Sequence, residues 1–272
     1  MKPVVSVIVR TKDRPLLLRR AIRSVLDQSF EFWEILLINN GGDNNLVLAI
    51  VQEFNSLLND RLHIIHLKKA YDMEVATNIG IKISNGKYIA MLDDDDTWSA
   101  DFLSSTVQEL ENDKKYAGVA TQTNLVYEKI INDDIVQIKE TLFNSTLRHA
   151  TLFKLARRNL YTTNAFVYRK SALETVGVYR EDLPVLGDWE FNIRFVWRNK
   201  VKIIADSLAF YHKRIDTDLN EYENSKIISH LHWDWKIRKE YLRKNPLRLG
   251  FLMISFGMLN AIARKIKTVL YK

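Results

Sequence analysis

Four consecutive aspartates, Asp93 to Asp96, close the stretch K-Y-I-A-M-L-D-D-D-D-T-W that runs from Lys87 to Trp98. The apolar run before them reads as a buried strand rising from an Asn85-Gly86 turn, so the carboxylates gather at a strand end. Neighbouring carboxylates repel by about 1 kcal/mol per pair in water and by more in a cleft, and a chain that holds four together calls for a cation. In an extended chain side chains alternate faces, so Asp93 and Asp95 point one way and Asp94 and Asp96 the other. An i, i+2 pair of this kind suits a hard ion such as Mg²⁺ or Mn²⁺, which takes one or two carboxylates and completes its shell with water and phosphate oxygens. A solvated acidic loop, or the N-terminus of a helix over Ser99 to Asn112, is the competing reading. Position favours the ion, because open α/β sheets bind ligands at the carboxyl ends of parallel strands.

The elements that must carry that strand are legible from the N-terminus onward. Val4 to Val9 is a short continuous apolar run, as expected of a strand covered on both faces. The polar loop Arg10 to Arg14 follows, and Pro15 then opens a helix with Leu17, Ala21, Ile22 and Val25 on one face. Strand, loop and helix repeat through Ile35 to Ile38, Leu46 to Leu58, Leu62 to Leu67, Glu74 to Ser84 and Tyr88 to Leu92. Such alternation predicts a mainly parallel, doubly wound sheet. Beyond Asn112, strands are expected at Ala117 to Tyr127, Ile135 to Lys139, Ala165 to Tyr168, Val201 to Ala205 and Leu208 to Tyr211, with an irregular segment over Thr141 to Tyr161. Short helices are expected over Lys170 to Val176 and, opened by Gly187-Asp188, over Trp189 to Trp197. A mostly helical tail is expected from about Asn220.

The composition, 47% hydrophobic and 27% charged over 272 residues, is that of an ordinary globular chain. With no cysteine, disulfides, thiolate metal sites and a cysteine nucleophile are excluded. The net charge of +7 is uneven: Lys236 to Lys272 holds ten basic residues and one acidic, a net +9, which leaves −2 for everything before it. The high isoelectric point therefore says little about nucleic acid, and no nucleic-acid-binding motif accompanies it. Met1-Lys2-Pro3 leads straight into the first strand without a charged leader or cleavage site, so a cytoplasmic protein is expected.

The series V-S-V-I-V-R-T-K-D-R-P, S-V-L-D-Q-S-F-E-F-W-E-I-L-L-I-N-N-G-G-D-N, A-T-N-I-G-I-K-I-S-N-G-K-Y-I-A-M-L-D-D-D-D and L-G-D-W-E-F-N-I-R resembles the family 2 glycosyltransferases with the GT-A fold. The similarity covers about Val4 to His212, in order. It implies an α/β, GT-A-like single domain with a mainly parallel, Rossmann-like central sheet and a helical C-terminal tail. Residues 1–219 would form the glycosyltransferase domain, 1–112 its nucleotide-sugar-binding half and 113–219 its acceptor-binding half, with 220–272 a basic amphipathic tail. The implied activity is inverting transfer of a sugar from a nucleotide-diphosphate sugar to a hydroxyl of a glycan or lipid-linked acceptor, in bacterial surface polysaccharide synthesis, with Mn²⁺ or Mg²⁺ as cofactor. The alternatives are a catalytically silent carbohydrate-binding or scaffold protein of the same fold and a sugar-nucleotide pyrophosphorylase; the second normally has a glycine-rich loop that Arg10 to Pro15 lacks.

By the same resemblance, Thr11, Asp13 and Arg14 line the nucleotide pocket, and Asn39 and Asn40 stand where a pair of aspartates is usual. An asparagine amide can accept from a pyrimidine ring N–H and donate as well, which favours a UDP donor. Thr77 stands where an arginine is common; Asn78 is a donor-side candidate whose alternative, with Gly80, is helix packing. Asp95 is the expected metal ligand, joined by Asp93; Asp94 lies on the donor side, and Asp94 and Asp96 are otherwise assigned to capping or to contacts beyond the ion. In Leu186-Gly187-Asp188-Trp189-Glu190, glycine stands where the family's glutamate is usual, and Asp188 is the expected general base, its competing reading a helix N-cap. Trp189 and Glu190 are placed on the acceptor side, with the helix core as the alternative for Trp189. His212 is read as a surface or phosphate-facing residue or a metal ligand, and His230 and His232 as structural. In the tail, the apolar run Leu249 to Ala263 is shorter than the about 20 residues a bilayer requires. Two readings stand: peripheral contact with the inner face of the membrane, or packing on the body or on a second subunit in a homodimer.

Overall fold

The computed structural model describes residues 2–58, 60–132, 134–215, 230–245 and 249–270, the side chains of the last helix as far as residue 260. Four parallel strands build the first half: β1 (Val5–Thr11), β2 (Trp33–Asn39), β3 (Leu62–His66) and β4 (Tyr88–Asp93). They lie side by side in the order β3-β2-β1-β4. Helices α1 (Pro15–Leu26), α2 (Asn44–Glu53), the short α3 (Asn55–Leu58) and α4 (Met73–Ile83) connect them. β1 and β2 are buried almost throughout because helices cover the sheet on both faces, and alternate residues feed two cores. Ile8, Leu36, Ile38 and Met91 face one core, and Val7, Val9, Leu37 and Leu92 the other.

Past β4 the sheet is no longer parallel. The chain continues as β5 (Thr97–Trp98), α5 (Phe102–Asn112), β6 (Tyr116–Ile131), β7 (Asp134–Leu142), α6 (Leu152–Arg157), β8 (Phe166–Arg169), α7 (Leu173–Val176), α8 (Gly187–Arg198) and β9 (Lys200–Arg214). β8 enters antiparallel between β4 and β6, β7 pairs antiparallel with β6, and β9 runs parallel to β6 and antiparallel to β5. The expected mainly parallel sheet thus holds for the first four strands and gives way to a mixed one, of nine strands among the described residues. The physical reason is connection length: two residues separate β6 from β7, and parallel neighbours need a crossover of about a dozen residues or more. The two strands expected over Val201 to Ala205 and Leu208 to Tyr211 are one, β9. Its register slips where Ser207 faces Gln122, so the polar Asp206-Ser207 pair marks an irregularity rather than an end. The irregular segment over Thr141 to Tyr161 contains α6.

Residues 216–229, which include the expected start of the helical tail, lie outside the described residues. The tail is helical as α9 (His230–Lys244) and α10 (Leu249–Leu270). Ile237, Leu249 and Met253 are buried in the same core as Leu155 of α6 and Phe191 of α8. Arg238 is buried with them: it pairs with Asp234 and donates to the Ala156 and Met253 carbonyls at 2.6 and 2.7 Å. One face of the basic tail is therefore part of the body. Phe251, Met258 and Leu259 are exposed on α10. No helix among the described residues is long and apolar enough to cross a membrane.

Candidate active site

β4 ends at Asp93, and the chain turns at once. The Asp96 N–H donates to the Asp93 carbonyl at 3.0 Å, which breaks the alternation expected of an extended chain. Asp94 is rotated inward, accepting from the Thr11 hydroxyl at 2.7 Å and pairing with Arg14 at 2.7 Å. Asp93, Asp95 and Asp96 each present a carboxylate oxygen within 4.8 Å of the other two. The i, i+2 pairing is thereby corrected to a cluster of three, with Asp96 brought to the side of Asp93 and Asp95 by the turn.

Arginines surround this turn. Arg10 donates from Nε to Asp93 at 2.8 Å, and Arg14 reaches Asp95 at 3.1 Å. Arg214, at the end of β9, pairs with Asp95. Burial pushes the Asp95 carboxyl up, but Arg14 and Arg214 outweigh it and hold it below the ordinary range. Burial and the charges of Asp95 and Asp93 push Asp96 well above that range. Behind the turn, Arg20 donates to the Asp95 carbonyl at 2.8 Å and pairs with Glu128, which also binds His212 Nδ1 at 2.8 Å. His212 Nε2 meets the Thr97 hydroxyl at 2.9 Å, and the His212 N–H reaches Asp96 at 3.1 Å. His212 is thus a buried strut beneath the acidic turn, which corrects the surface reading. Three clustered hard oxygens, one of them on a carboxyl whose charge is disfavoured by burial and by its acidic neighbours, fit a divalent ion.

The loops after β1 and β2 lie beside this turn. Asp13, in the left-handed region at φ 53°, accepts from the Asp43 N–H at 2.7 Å and so ties the two loops together. Asn39 is fully buried, its amide donating to the Gly42 carbonyl at 2.9 Å and to Asn44 at 3.0 Å while its oxygen takes the Gly42 N–H. Asn40 clamps the backbone of Tyr71, donating to its carbonyl at 2.8 Å and accepting its N–H at 2.9 Å. Both amides are occupied within the chain, so the expectation that either reads a pyrimidine ring loses its basis. Asn78 is likewise spent, on the Tyr179 backbone and Glu181. It pins α4 to the loop before α8, the packing alternative for that residue.

Asp188 lies in the first turn of α8. One oxygen accepts the Trp189 N–H at 2.7 Å, and the other accepts from Asn159 at 2.7 Å and Thr163 at 3.5 Å. The helix N-cap is Leu186 rather than Asp188, so the capping reading does not hold, and both Asp188 oxygens are hydrogen-bonded within the chain. Burial raises the Asp188 carboxyl, and the Trp189 N–H, Arg10 and Asn159 offset part of that rise. The residue before this helix, Leu186, is held left-handed at φ 65°, a strained geometry of the kind that accumulates at functional sites. Trp189 and Glu190 face away from the site. Trp189 is buried and donates to the Leu155 carbonyl at 2.7 Å, and Glu190 pairs with Arg194 and accepts from Tyr241. Their acceptor-side placement is corrected: they join α8 to α6 and α9.

The acidic turn and Asp188 share one neighbourhood. Arg10 binds Asp93 and acts electrostatically on Asp188, and the Tyr211 hydroxyl feels Asp96, Asp95, Asp93 and Asp188 together. Arg10, Arg214 and Glu128 join this neighbourhood without having stood out in the sequence, and Asp96 joins it in a role other than the one expected. A charged residue at the last turn of an apolar strand is the signal that Arg10 and Arg214 carry.

A model of glycosyl transferase family 2 matches residues 6–177. An uncharacterized glycosyltransferase of Haemophilus influenzae is 29% identical over 196 residues, which span 70% of this chain and 59% of the relative. A putative teichuronic acid biosynthesis glycosyltransferase of Bacillus subtilis, TuaG, is 30% identical over 107 residues, 39% of this chain and 42% of the relative. The chain thus spans 59% and 42% of the length of these two relatives. Residues 1–349 of S. aureus TarS, solved with UDP-GlcNAc, share the GT-A-like fold, with a TM-score of 0.71 and 17% identity over 94% of this chain and 71% of that one. With the family match covering more than half of the chain, from the first strand through α7, the protein belongs to glycosyl transferase family 2.

Proposed function

We propose that the protein is an inverting glycosyltransferase that moves a sugar from a nucleotide-diphosphate sugar to a hydroxyl of a glycan or lipid-linked acceptor. One observation supports the reading: Asp188, fixed by Asn159 and the Trp189 N–H, lies within electrostatic reach of Arg10, which binds Asp93 of the three-carboxylate turn at the end of β4. In this reading Asp188 takes the proton of the acceptor hydroxyl as that oxygen attacks the anomeric carbon from the face opposite the leaving group. A raised carboxyl is a stronger base than an ordinary one and gains most from such a task. Asp93, Asp95 and Asp96 would hold a Mg²⁺ or Mn²⁺ ion, which would supply charge neutralisation for the departing diphosphate. Arg14 and Arg10 add fixed positive charge on the same side. Thr11 and Asp94 brace Arg14, and Asp13 fixes the loop that faces the nucleotide.

A uridine donor is favoured by the likeness to TarS, which was solved with UDP-GlcNAc. A surface polysaccharide product is favoured by the teichuronic acid relative. The exposed Phe251, Met258 and Leu259 on a basic tail support peripheral membrane contact near a lipid-linked acceptor. Release of nucleoside diphosphate from a panel of UDP- and GDP-sugars, with Mn²⁺ and with EDTA, tests the reading. Turnover of at least one donor that EDTA abolishes is expected; no turnover across the panel with acceptor polysaccharide and lipid extracts present would sink it.

A further inference from the structure

Glu74 stands in the first turn of α4 and is 6% exposed. Its Oε2 is buried and has no hydrogen-bond partner among the described residues. Leaving a carboxylate oxygen buried without a donor is costly, and folded proteins rarely do so without a functional reason. Burial pushes this carboxyl up to about 7, against the partial relief that Arg10 provides.

The space Glu74 occupies belongs, by sequence position, to another residue. A Cβ built on Gly187 would lie 2.1 Å from Glu74 Oε1 and 2.7 Å from its Cδ. Gly187 is not among the glycines with positive φ, so its backbone would accept any side chain. The Glu74 carboxylate is what keeps position 187 bare, and a residue from α4 thus delivers an acid group directly beside Asp188. Asp188 and Arg10 both act on Glu74 electrostatically, and Arg10 itself donates to Asp93, the Met73 carbonyl and the Thr77 hydroxyl. Glu74 thus packs against Gly187, the residue before Asp188, within electrostatic reach of both Asp188 and Arg10.

We infer that Glu74 is a substrate-binding residue of this site: its Oε2 accepts a hydrogen bond from a hydroxyl of the glycosyl group of the nucleotide sugar, and Gly187 is there to admit it. This rests on the glycosyltransfer reading. The choice of ligand group follows from the surroundings. A phosphate oxygen would meet two carboxylates, Glu74 and Asp188, and a cation would meet Arg10. A neutral hydroxyl donor satisfies the oxygen without adding charge.

The test is calorimetric titration of the full chain, with Mn²⁺, against UDP, GDP, UDP-GlcNAc, UDP-glucose and GDP-mannose. For Glu74→Ala, affinity for the bare nucleotide should match wild type, while affinity for the preferred nucleotide sugar falls about tenfold or more, as expected on losing a hydrogen bond to a charged group. Its melting temperature should be unchanged or higher, because an unpaired buried acid has been removed; a purely structural role would lower it. Gly187→Glu alone should destabilise the protein, and Glu74→Ala with Gly187→Glu should fold and regain part of the sugar-specific affinity. Equal losses for nucleotide and nucleotide sugar, or wild-type sugar affinity in Glu74→Ala, would overturn the role of Glu74 alone. A wild-type protein that binds none of the five ligands would overturn the glycosyltransfer reading and this assignment with it.

Discussion

At the end of β4, Asp93, Asp94 and Asp95 pair with Arg10, Arg14 and Arg214; at the start of α8, Asp188 is held by the neutral donors Asn159, Thr163 and the Trp189 N–H, and Glu74 Oε2 has no hydrogen-bond partner among the described residues. In the first region the pairing with Arg14 and Arg214 holds the buried Asp95 carboxyl below the ordinary range, while burial raises Asp94 and Asp96 on either side of it. The second holds acid groups by burial, which raises them toward neutrality and leaves them poised to exchange a proton or accept a hydrogen bond. In the proposed reaction a donor diphosphate would need fixed countercharge and an acceptor hydroxyl a base, roles that the first and second regions would supply respectively.

The largest expected effect breaks the second region. Asp188→Asn keeps the size of the side chain and one acceptor oxygen, enough for either the Trp189 N–H or Asn159 but not both, and cannot accept a proton. The turnover number should fall by about two to four orders of magnitude, with donor affinity close to wild type; steady-state kinetics and calorimetry on one preparation check both. A variant with near-normal turnover would move the base elsewhere, Glu74 being the next carboxyl in reach.

Substitution in the first region acts mainly on stability. Asp95 is a counter-ion for Arg214, whose side chain is fully buried, so Asp95→Ala should cost about 3 kcal/mol in denaturant unfolding. Loss of activity in that variant would not by itself identify a metal ligand. Asp96→Asn is the cleaner probe, since Asp96 accepts the His212 backbone N–H and an asparagine oxygen can accept it equally well. The variant should fold at near wild-type stability and require more Mn²⁺ for half-maximal activity. An unchanged Mn²⁺ requirement would remove Asp96 from the ion's ligands.

The same contrast governs what was legible in the sequence. The first region announces itself, because four adjacent aspartates at the end of an apolar run repel one another unless cations hold them, and the strand-helix alternation before them specifies the parallel sheet. The turn that swings Asp96 beside Asp93 was not legible, since it depends on the Asp96 N–H returning to Asp93 and on Arg20 and His212 beneath. Asp188 was legible only through the family resemblance, as an isolated aspartate ahead of a helix reads equally as a cap. Glu74 carried no signal at all: it is one acid in the first turn of an amphipathic helix, and only the fold brings it against Gly187. The antiparallel entry of β8 was hidden for the same reason, as strand direction in a mixed sheet is set by connections rather than by residue pattern.

Acid groups held by burial make stability depend on pH in a defined direction. Glu74 has an ordinary value of 4.5 that burial raises to about 7. Between those values the unfolded chain gives up a proton that the folded chain keeps, so this contribution is full below about pH 4.5 and is lost as pH rises through about 7. Glu74→Gln should therefore be more stable than wild type at about pH 8, relative to about pH 5, by on the order of 2 kcal/mol. Asp94 and Asp96 are raised too and share the sign, so the difference between the two unfolding curves, measured at both pH values, is the quantity that isolates Glu74. A parallel pH dependence in both proteins would place Glu74 among ionised, paired carboxylates like Asp95.

The smallest effect concerns the two faces of α8. Asp188 faces the site, whereas Trp189 turns into the core, where its indole N–H meets the Leu155 carbonyl and Arg238 lies 4.9 Å from its ring centroid. Trp189→Phe keeps an aromatic ring but leaves the Leu155 carbonyl without that donor, so unfolding should ease by about 1 kcal/mol. The Michaelis constants for donor and acceptor should stay within about twofold of wild type, because nothing on the site face has changed. The opposite pattern, full stability with a weakened acceptor, would require the ring to leave the core during turnover and contact substrate. Since Trp189 and Arg238 tie α8 to α6 and to the tail, the outcome also decides whether the tail's anchorage is felt at Asp188. A stability loss with unchanged kinetics would mean that α8 insulates the base from the packing behind it.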